Sequence, residues 1–382
     1  MLLGFKTRIK VKKSQLETLA KHAGCARHAW NQGLALCKEL LNYNKANPKE
    51  KIPFPSAIDL HKWLVASVKV ENPWYYEVSK CVGQYALRHL SQGFKDFFQQ
   101  TKGFPNFKKK GRKDSFTLDG SITVDHQKIK VPVIGWLKTY ERLPQGIKPK
   151  SVTISRQADL WFISFKNEVE PQDTPKVREA VGVDLGLVRF ATLSTREEVD
   201  SPRPYKALEK QLSSLQWRNR NKQLHSNNWK LAQIKIARLH ARVGNIRREF
   251  IHTLTTSLAK NHSKIVIEDL NVRGMLHNGK LSKAISDSGF SEFRRQLDYK
   301  TKLYGSELIL ANRWFASSKT CFICQQVKDK LPLSIRTFEC NCGWCCDRDL
   351  NASYNLVRLV QAEFKPVDEK EPTPSVEAGS FC

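Results

Sequence analysis

The stretch from Val181 to Ser194 reads VGVDLGLVRFATLS, an apolar run that carries one carboxylate, Asp184, turns at Gly186 and continues as a second β-rich segment. Strands buried on both faces read as such near-continuous apolar runs, so an acid inside one is costly to keep. An Asp beside a Gly can simply satisfy a turn. It can also be a functional carboxylate, and the stretch alone leaves both readings open.

The 382-residue chain, 40% apolar and 10% aromatic, has the length and composition of a folded protein with two or three cores. Its formal charge of +27 costs self-repulsion and implies a polyanionic partner, nucleic acid before a membrane surface. The start, MLLGFKTRIK, lacks the apolar core of a signal peptide. No stretch approaches the ~20 apolar residues of a membrane span. A cytoplasmic protein with access to the nucleoid is therefore expected.

Downstream, Lys264–Leu270 (KIVIEDL) reads as a strand that ends on Glu268, and Asp347 and Asp349 open a helix, DRDLNASYNLVRLVQAEF. In an α/β fold, acids at the ends of adjacent strands and on the helix over them converge. Three converging carboxylates repel one another unless hard cations neutralise them, which suits Mg²⁺. Two such ions about 4 Å apart can activate water and stabilise the leaving oxygen in phosphodiester hydrolysis.

Between these acids, six of the ten cysteines crowd into residues 321–346. Cys321 and Cys324, then Cys340 and Cys342, make two close pairs separated by fifteen residues. Such pairs suit one structural, tetrahedral Zn²⁺ with no open position for catalysis. Cys342 with Cys345 is a rival second pair, but Gly343 favours Cys340 and Cys342 because glycine lets the backbone bend back toward the metal.

The N-terminal half begins with a strictly alternating strand, FKTRIKVK, which puts Lys6, Arg8, Lys10 and Lys12 on one face. Ser14 and Glu17 then have the spacing of a capping box for a long helix. After the helical region, GFPNFKKKGRKDSF interleaves Lys108, Lys109, Lys110, Arg112 and Lys113 with aromatics, a composition suited to phosphate contact and base stacking. Short strands follow from Phe116 to Val169, with a hairpin turning at Gln157–Asp159. Together with the first strand they are expected to close a small β-barrel. Farther on, Ile285–Tyr304 reads as one helix and Glu307–Trp314 as a strand. The acidic, Pro-containing tail from Lys365 reads as disordered.

VGVDLG at 181–186, IVIEDLNVRGM at 265–275, SSKTC-x2-C at 317–324, PLSIRTFEC at 332–340 and CDRDLNAS at 346–353 resemble the TnpB family of transposon-encoded, RNA-guided DNA nucleases, relatives of the type V CRISPR effectors. Gln15, Gly24, Arg27, Asn31, the GFPNFKKKGRKDSF loop and IGWLK at 134–138 extend the resemblance to nearly the whole chain. It implies a multidomain α/β protein. A β-barrel wedge domain (1–13 and 115–170) would hold a helical recognition insert (14–114). A linker (171–180) would lead to a RuvC-like, ribonuclease H-like nuclease domain (181–316 and 347–364) interrupted by a zinc ribbon (317–346) that binds target nucleic acid.

By motif match, Asp184, Glu268 and Asp349 would be the catalytic carboxylates. Asp347 would rank second to Asp349, as a possible helix N-cap. The implied partners are a guide RNA and target DNA, with a monomeric ribonucleoprotein and Mg²⁺-dependent cleavage beside a target-adjacent motif. Delegating sequence reading to a guide explains a basic protein without a base-reading motif. Gln325 departs from the family's frequent Gly after the second cysteine.

Three other readings compete. An RNA-guided repressor that binds without cutting is expected to have lost carboxylates, and all three are retained. Sugar kinases and actin-like ATPases open with a strand and Asp-x-Gly loop like VGVDLG, but need a second such loop and an adenosine-binding Gly cluster, and neither follows. A transposase would require a different nucleophile set and partner domains.

Overall fold

The computed structural model describes residues 1–361 apart from Leu333, so the tail expected to be disordered lies outside the described residues. The chain divides into two compact units, one spanning Met1–Val169 and one beginning at Glu170.

The first unit opens with β1 (Leu2–Lys10), where Thr7 and Ile9 are buried and Lys6 and Lys10 exposed, as the alternation requires. The helices α1 (Lys13–Ala46), α2 (Ala57–Trp63), α3 (Lys69–Glu71) and α4 (Cys81–Phe98) follow. They form an insert between β1 and β2. The strands β2 (Ser115–Asp119), β3 (Thr123–Asp125), β4 (Lys128–Val131), β5 (Gly135–Thr139), β6 (Ser151–Gln157) and β7 (Leu160–Glu168) complete the unit.

These seven strands form an antiparallel sheet in the order β2-β6-β7-β1-β5-β4-β3. The expected closed barrel is not found, because β2 and β3 stand at the two edges. The sheet instead changes partner along β1, whose residues 2–8 pair with β7 and whose residues 9 and 10 pair with β5. The expected capping box is also displaced. Helix α1 starts at Lys13, and the side chain of Gln15 accepts from the Lys12 amide at 3.1 Å. With β1 paired to Lys10, the turn into the helix comes too early for Ser14 and Glu17 to cap it.

The second unit is built on a mixed sheet. Its strands are β8 (Arg178–Leu185), β9 (Arg189–Leu193), β10 (Glu198–Asp200), β11 (His262–Glu268) and β12 (Glu307–Ala311), in the order β10-β9-β8-β11-β12. Residues 178–180 of the expected linker thus belong to β8. β9 runs antiparallel to β8, while β11 is parallel to both β8 and β12. The helices are α5 (Pro204–Asn219), α6 (Asn227–Asn261), α7 (Val272–Met275), α8 (Ser282–Ser288), α9 (Phe290–Tyr304) and α10 (Arg348–Arg358). Before α10 a small hairpin pairs β13 (Thr337–Glu339) with β14 (Cys345–Asp347).

The helix expected over 285–304 is broken at Gly289, whose φ of +76° ends α8 and lets α9 begin. A Cβ there would sit 2.9 Å from the Arg247 side chain. β12 stops at Ala311 rather than Trp314, and Arg313 just beyond it turns to bind Asp269.

Period-two alternation assigns each sheet face its own cover. Val181, Val183, Ile265 and Ile267 join Ile251, Leu258, Phe293 and Leu297 in one core. On the opposite face Val266 packs with Ala311 and Leu356 of α10. Gly182 lies where α10 crosses β8. A Cβ at Gly182 would stand 2.0 Å from the Ser353 carbonyl oxygen and 2.7 Å from the Val357 nitrogen, both main-chain atoms. The helix can lie this close only because the strand has no side chain there. Gly182→Ala should lower stability by ~3 kcal/mol, the upper part of the range for overpacked cores, and urea unfolding should show it. An unchanged midpoint would mean that α10 is not seated on β8.

Candidate functional site

The last registered pair between β8 and β11 is Val183 with Ile267, so Asp184 and Glu268 are the next residues on neighbouring parallel strands. By alternation both carboxylates share the α10 face of the sheet. Asp184 is partly buried, and its carboxyl is held well above the usual carboxylate range. Burial is the first cause, the charge of Glu268 the second and that of Asp349 the third, while Arg348 acts the other way. The three acids named from the sequence thus lie within electrostatic reach of one another. They form an oxygen-donor set that suits a hard divalent cation, which would relieve the cost of ionising Asp184.

Glu268 is braced on both sides. The Ser317 hydroxyl donates to its Oε1. The following residue, Asp269, is gripped by Arg294 and by Arg313, whose Nη2 lies 2.6 Å from its Oδ2.

Asp347 and Asp349 divide two tasks. Asp347 is the N-cap of α10, its Oδ1 accepting from the amides of Asp349 at 2.9 Å and Leu350 at 3.1 Å. Its Oδ2 faces Arg189 Nη1 at 3.4 Å. That carboxylate is engaged in starting the helix. Asp349 is left on the first turn, with Arg336 and Arg348 at 3.6 and 3.4 Å.

The sulfurs of Cys321, Cys324, Cys340 and Cys342 all lie within 4.8 Å of one another. This donor set fits structural zinc. Cys345 and Cys346 are instead in β14, opposite Glu339 and Phe338. Gly343 adopts φ +90° and donates to the Cys340 carbonyl at 3.0 Å, the bend that its position suggested. The Cys342 amide holds the Cys340 thiol down to about 7, which favours the thiolate a metal needs. Burial pushes Cys321 the other way, to about 12. Gln325 takes φ +63°, and its side-chain amide donates to the carbonyls of Cys321 and Phe322.

Two buried asparagines tie this ribbon to α10. Asn351 Nδ2 donates to the Thr320 carbonyl at 2.7 Å, and its Oδ1 accepts from the Phe322 amide and Trp344 Nε1. Asn355 donates to the carbonyls of Ser317 and Thr320 at 2.8 and 2.7 Å. Sequence reading gave no role to Asn355, Gly182, Arg189 or Ser317. Two of them carried a signal, Gly182 by its place in the VGVDLG motif and Ser317 by its place in SSKTC.

In the first unit, Lys6 lies over Phe162, and Arg8 and Lys10 both lie over Tyr140, 4.4 to 4.9 Å from the ring centroids. Lys12 is exposed just before α1. Lys109, Lys110, Arg112 and Lys113 are exposed. Lys108 differs. It is half-buried over Trp30 at 4.0 Å, burial lowers its ammonium below the usual lysine range, and its amide donates to Asn31 at 2.8 Å.

Among the described residues no helix is long and apolar enough to cross a membrane. Three family models match the chain: one described as a probable transposase over residues 163–279, a Cas12f1-like TNB domain over 290–356, and a helix-turn-helix domain over 1–46. Residues 2–46 here form a strand and one continuous helix. A protein of Streptomyces pristinaespiralis is 36% identical over 365 residues, covering 92% of this chain and 88% of its own. InsQ of Escherichia coli (strain K12) is 30% identical over 409 residues, 99% of each chain. Both are named, provisionally, as RNA-guided DNA endonucleases. Among solved structures, the protein of a Cas12f1–sgRNA–target DNA complex superposes with a TM-score of 0.55 at 13% identity, over 94% of this chain and 98% of that one, a likeness of fold. Relatives this similar over this much of their length show that the chain belongs to the TnpB family.

Proposed function

We propose that the protein is an RNA-guided DNA endonuclease whose second unit is a RuvC-like, ribonuclease H-like nuclease. The observation that carries this is the grouping of Asp184 and Glu268 on adjacent parallel strands with Asp349 at the start of the helix above them. The names of its relatives supply the guide RNA and the DNA target. In this reading the helices and seven-stranded sheet of the first unit are the recognition insert and wedge, and Lys6, Arg8, Lys10, Lys12, Lys109, Lys110, Arg112 and Lys113 contact phosphates. Lys108 positions its loop against Trp30. The four-cysteine ribbon handles target nucleic acid.

Asp184, Glu268 and Asp349 would hold Mg²⁺, as two ions. When bound, the metal supplies water activation and stabilisation of the leaving oxygen. The chain's own work is positional. Asp184 and Glu268 are spaced by the strand register, and Asp349 is delivered by the Asp347 cap. The retained acids argue against a binder that never cuts.

The test is plasmid cleavage by protein co-expressed with its guide in Mg²⁺. Asp184→Asn should lose more than the ~10–100-fold that removal of an outer-shell partner costs, while the purified protein still carries its RNA. Full cutting by the variant would sink the assignment.

Acid chemistry gives a separate check. The folded state holds the Asp184 proton more tightly than the unfolded chain does, so this group's contribution to stability is full below the unfolded pKa of ~3.9 and is lost as pH rises through the folded one. In Mg²⁺-free buffer Asp184→Asn should melt above the parent at pH 8, the gap closing toward pH 4. Identical melting at every pH would mean that Asp184 carries no electrostatic cost.

For the ribbon, Cys324→Ser should reduce bound zinc from about one per chain, by elemental analysis, whereas Cys345→Ser should leave it unchanged. Zinc loss from Cys345→Ser as well as from Cys324→Ser would favour the rival pairing, in which Cys345 takes the place of Cys340.

A further inference from the structure

Ser317 joins three parts of the second unit at one buried residue. Its hydroxyl donates to Glu268 Oε1 at the end of β11. Its carbonyl accepts from Asn355 Nδ2 on α10 at 2.8 Å. Four residues on, Cys321 begins the four-cysteine cluster, and the intervening Thr320 carbonyl accepts from both Asn351 and Asn355. Ser317 is only 3% exposed, so its rotamer is set by protein contacts rather than by water.

Glutamate has three rotatable side-chain bonds, and a carboxylate at a strand end can miss a metal by more than an ångström unless something anchors it. Anchoring Oε1 leaves the second oxygen to face an ion. Outer-shell hydrogen bonds of this kind orient ligands and raise metal affinity. We propose that Ser317 is a positioning residue for the divalent-metal site, orienting Glu268 from a point that α10 and the root of the zinc ribbon hold in place. This rests on the nuclease reading of Glu268. It adds that the ribbon's attachment to α10 also sets the aim of a carboxylate on the sheet.

The experiment compares Ser317→Ala, Ser317→Thr and Glu268→Gln in the full ribonucleoprotein. Three readouts are taken: the Mg²⁺ concentration for half-maximal plasmid cleavage, the rise in melting temperature on titration with Mn²⁺, and the zinc content. For Ser317→Ala the half-maximal Mg²⁺ concentration should rise ~10–100-fold, with the Mn²⁺ melting response moved to higher concentration by a similar factor. Saturating Mg²⁺ should restore most of the rate, and zinc should stay at the parental level. Ser317→Thr, which keeps the hydroxyl, should return both titrations toward the parent.

Unchanged titrations for Ser317→Ala, with Glu268→Gln inactive, would overturn the positioning role and leave the nuclease reading standing. Loss of zinc from Ser317→Ala would also overturn it, since the effect would then run through the ribbon's own folding. A fully active Glu268→Gln would instead remove the nuclease reading on which the proposal rests.

Discussion

The second unit depends on a contact made possible by a missing side chain. At Gly182 the backbone of α10 lies against β8 with no room for a methyl group. Moving the helix outward would carry Asp349 away from Asp184 and Glu268 and withdraw Asn351 and Asn355 from the ribbon carbonyls. The cost of ionising Asp184 comes first from the burial that this packing imposes, and the nearby charges of Glu268 and Asp349 add to it. Tight packing and charge repulsion are two results of one approach distance.

Local patterns made a good part of this legible. Near-continuous apolar runs identified the strands that carry Asp184 and Glu268, and the paired cysteines with a glycine behind them identified the four sulfurs that gather. The position of Asp347 before a helix suggested its capping role, which its bonds to the Asp349 and Leu350 amides bear out. Each of these signals lies within a few residues of sequence.

What escaped was non-local. Whether β2 and β3 meet to close a barrel depends on pairing between distant short strands, and periodicity carries no information about it. Gly289, where the helix breaks, sits against the Arg247 side chain from another helix, which leaves no room for a Cβ. Lys108 looked like its basic neighbours because the contact that distinguishes it is with Trp30 on α1. Gly182 was hidden for a related reason. A glycine within an apolar run reads as a weakness of the strand until the helix that needs its emptiness is known.

The two asparagines on α10 also bear on how the protein could be made smaller. Zinc ribbons invite treatment as detachable modules, closed by their own metal and joined by a short neck. Here the neck supplies the acceptors for Asn351 and Asn355, both buried. Excision at the base would strand amide groups in the interior and uncover the Tyr354 ring, which packs against Phe322 across the junction. A compact variant would therefore have to be trimmed at the ribbon's exposed far end, with its root kept as part of the helix that it fastens.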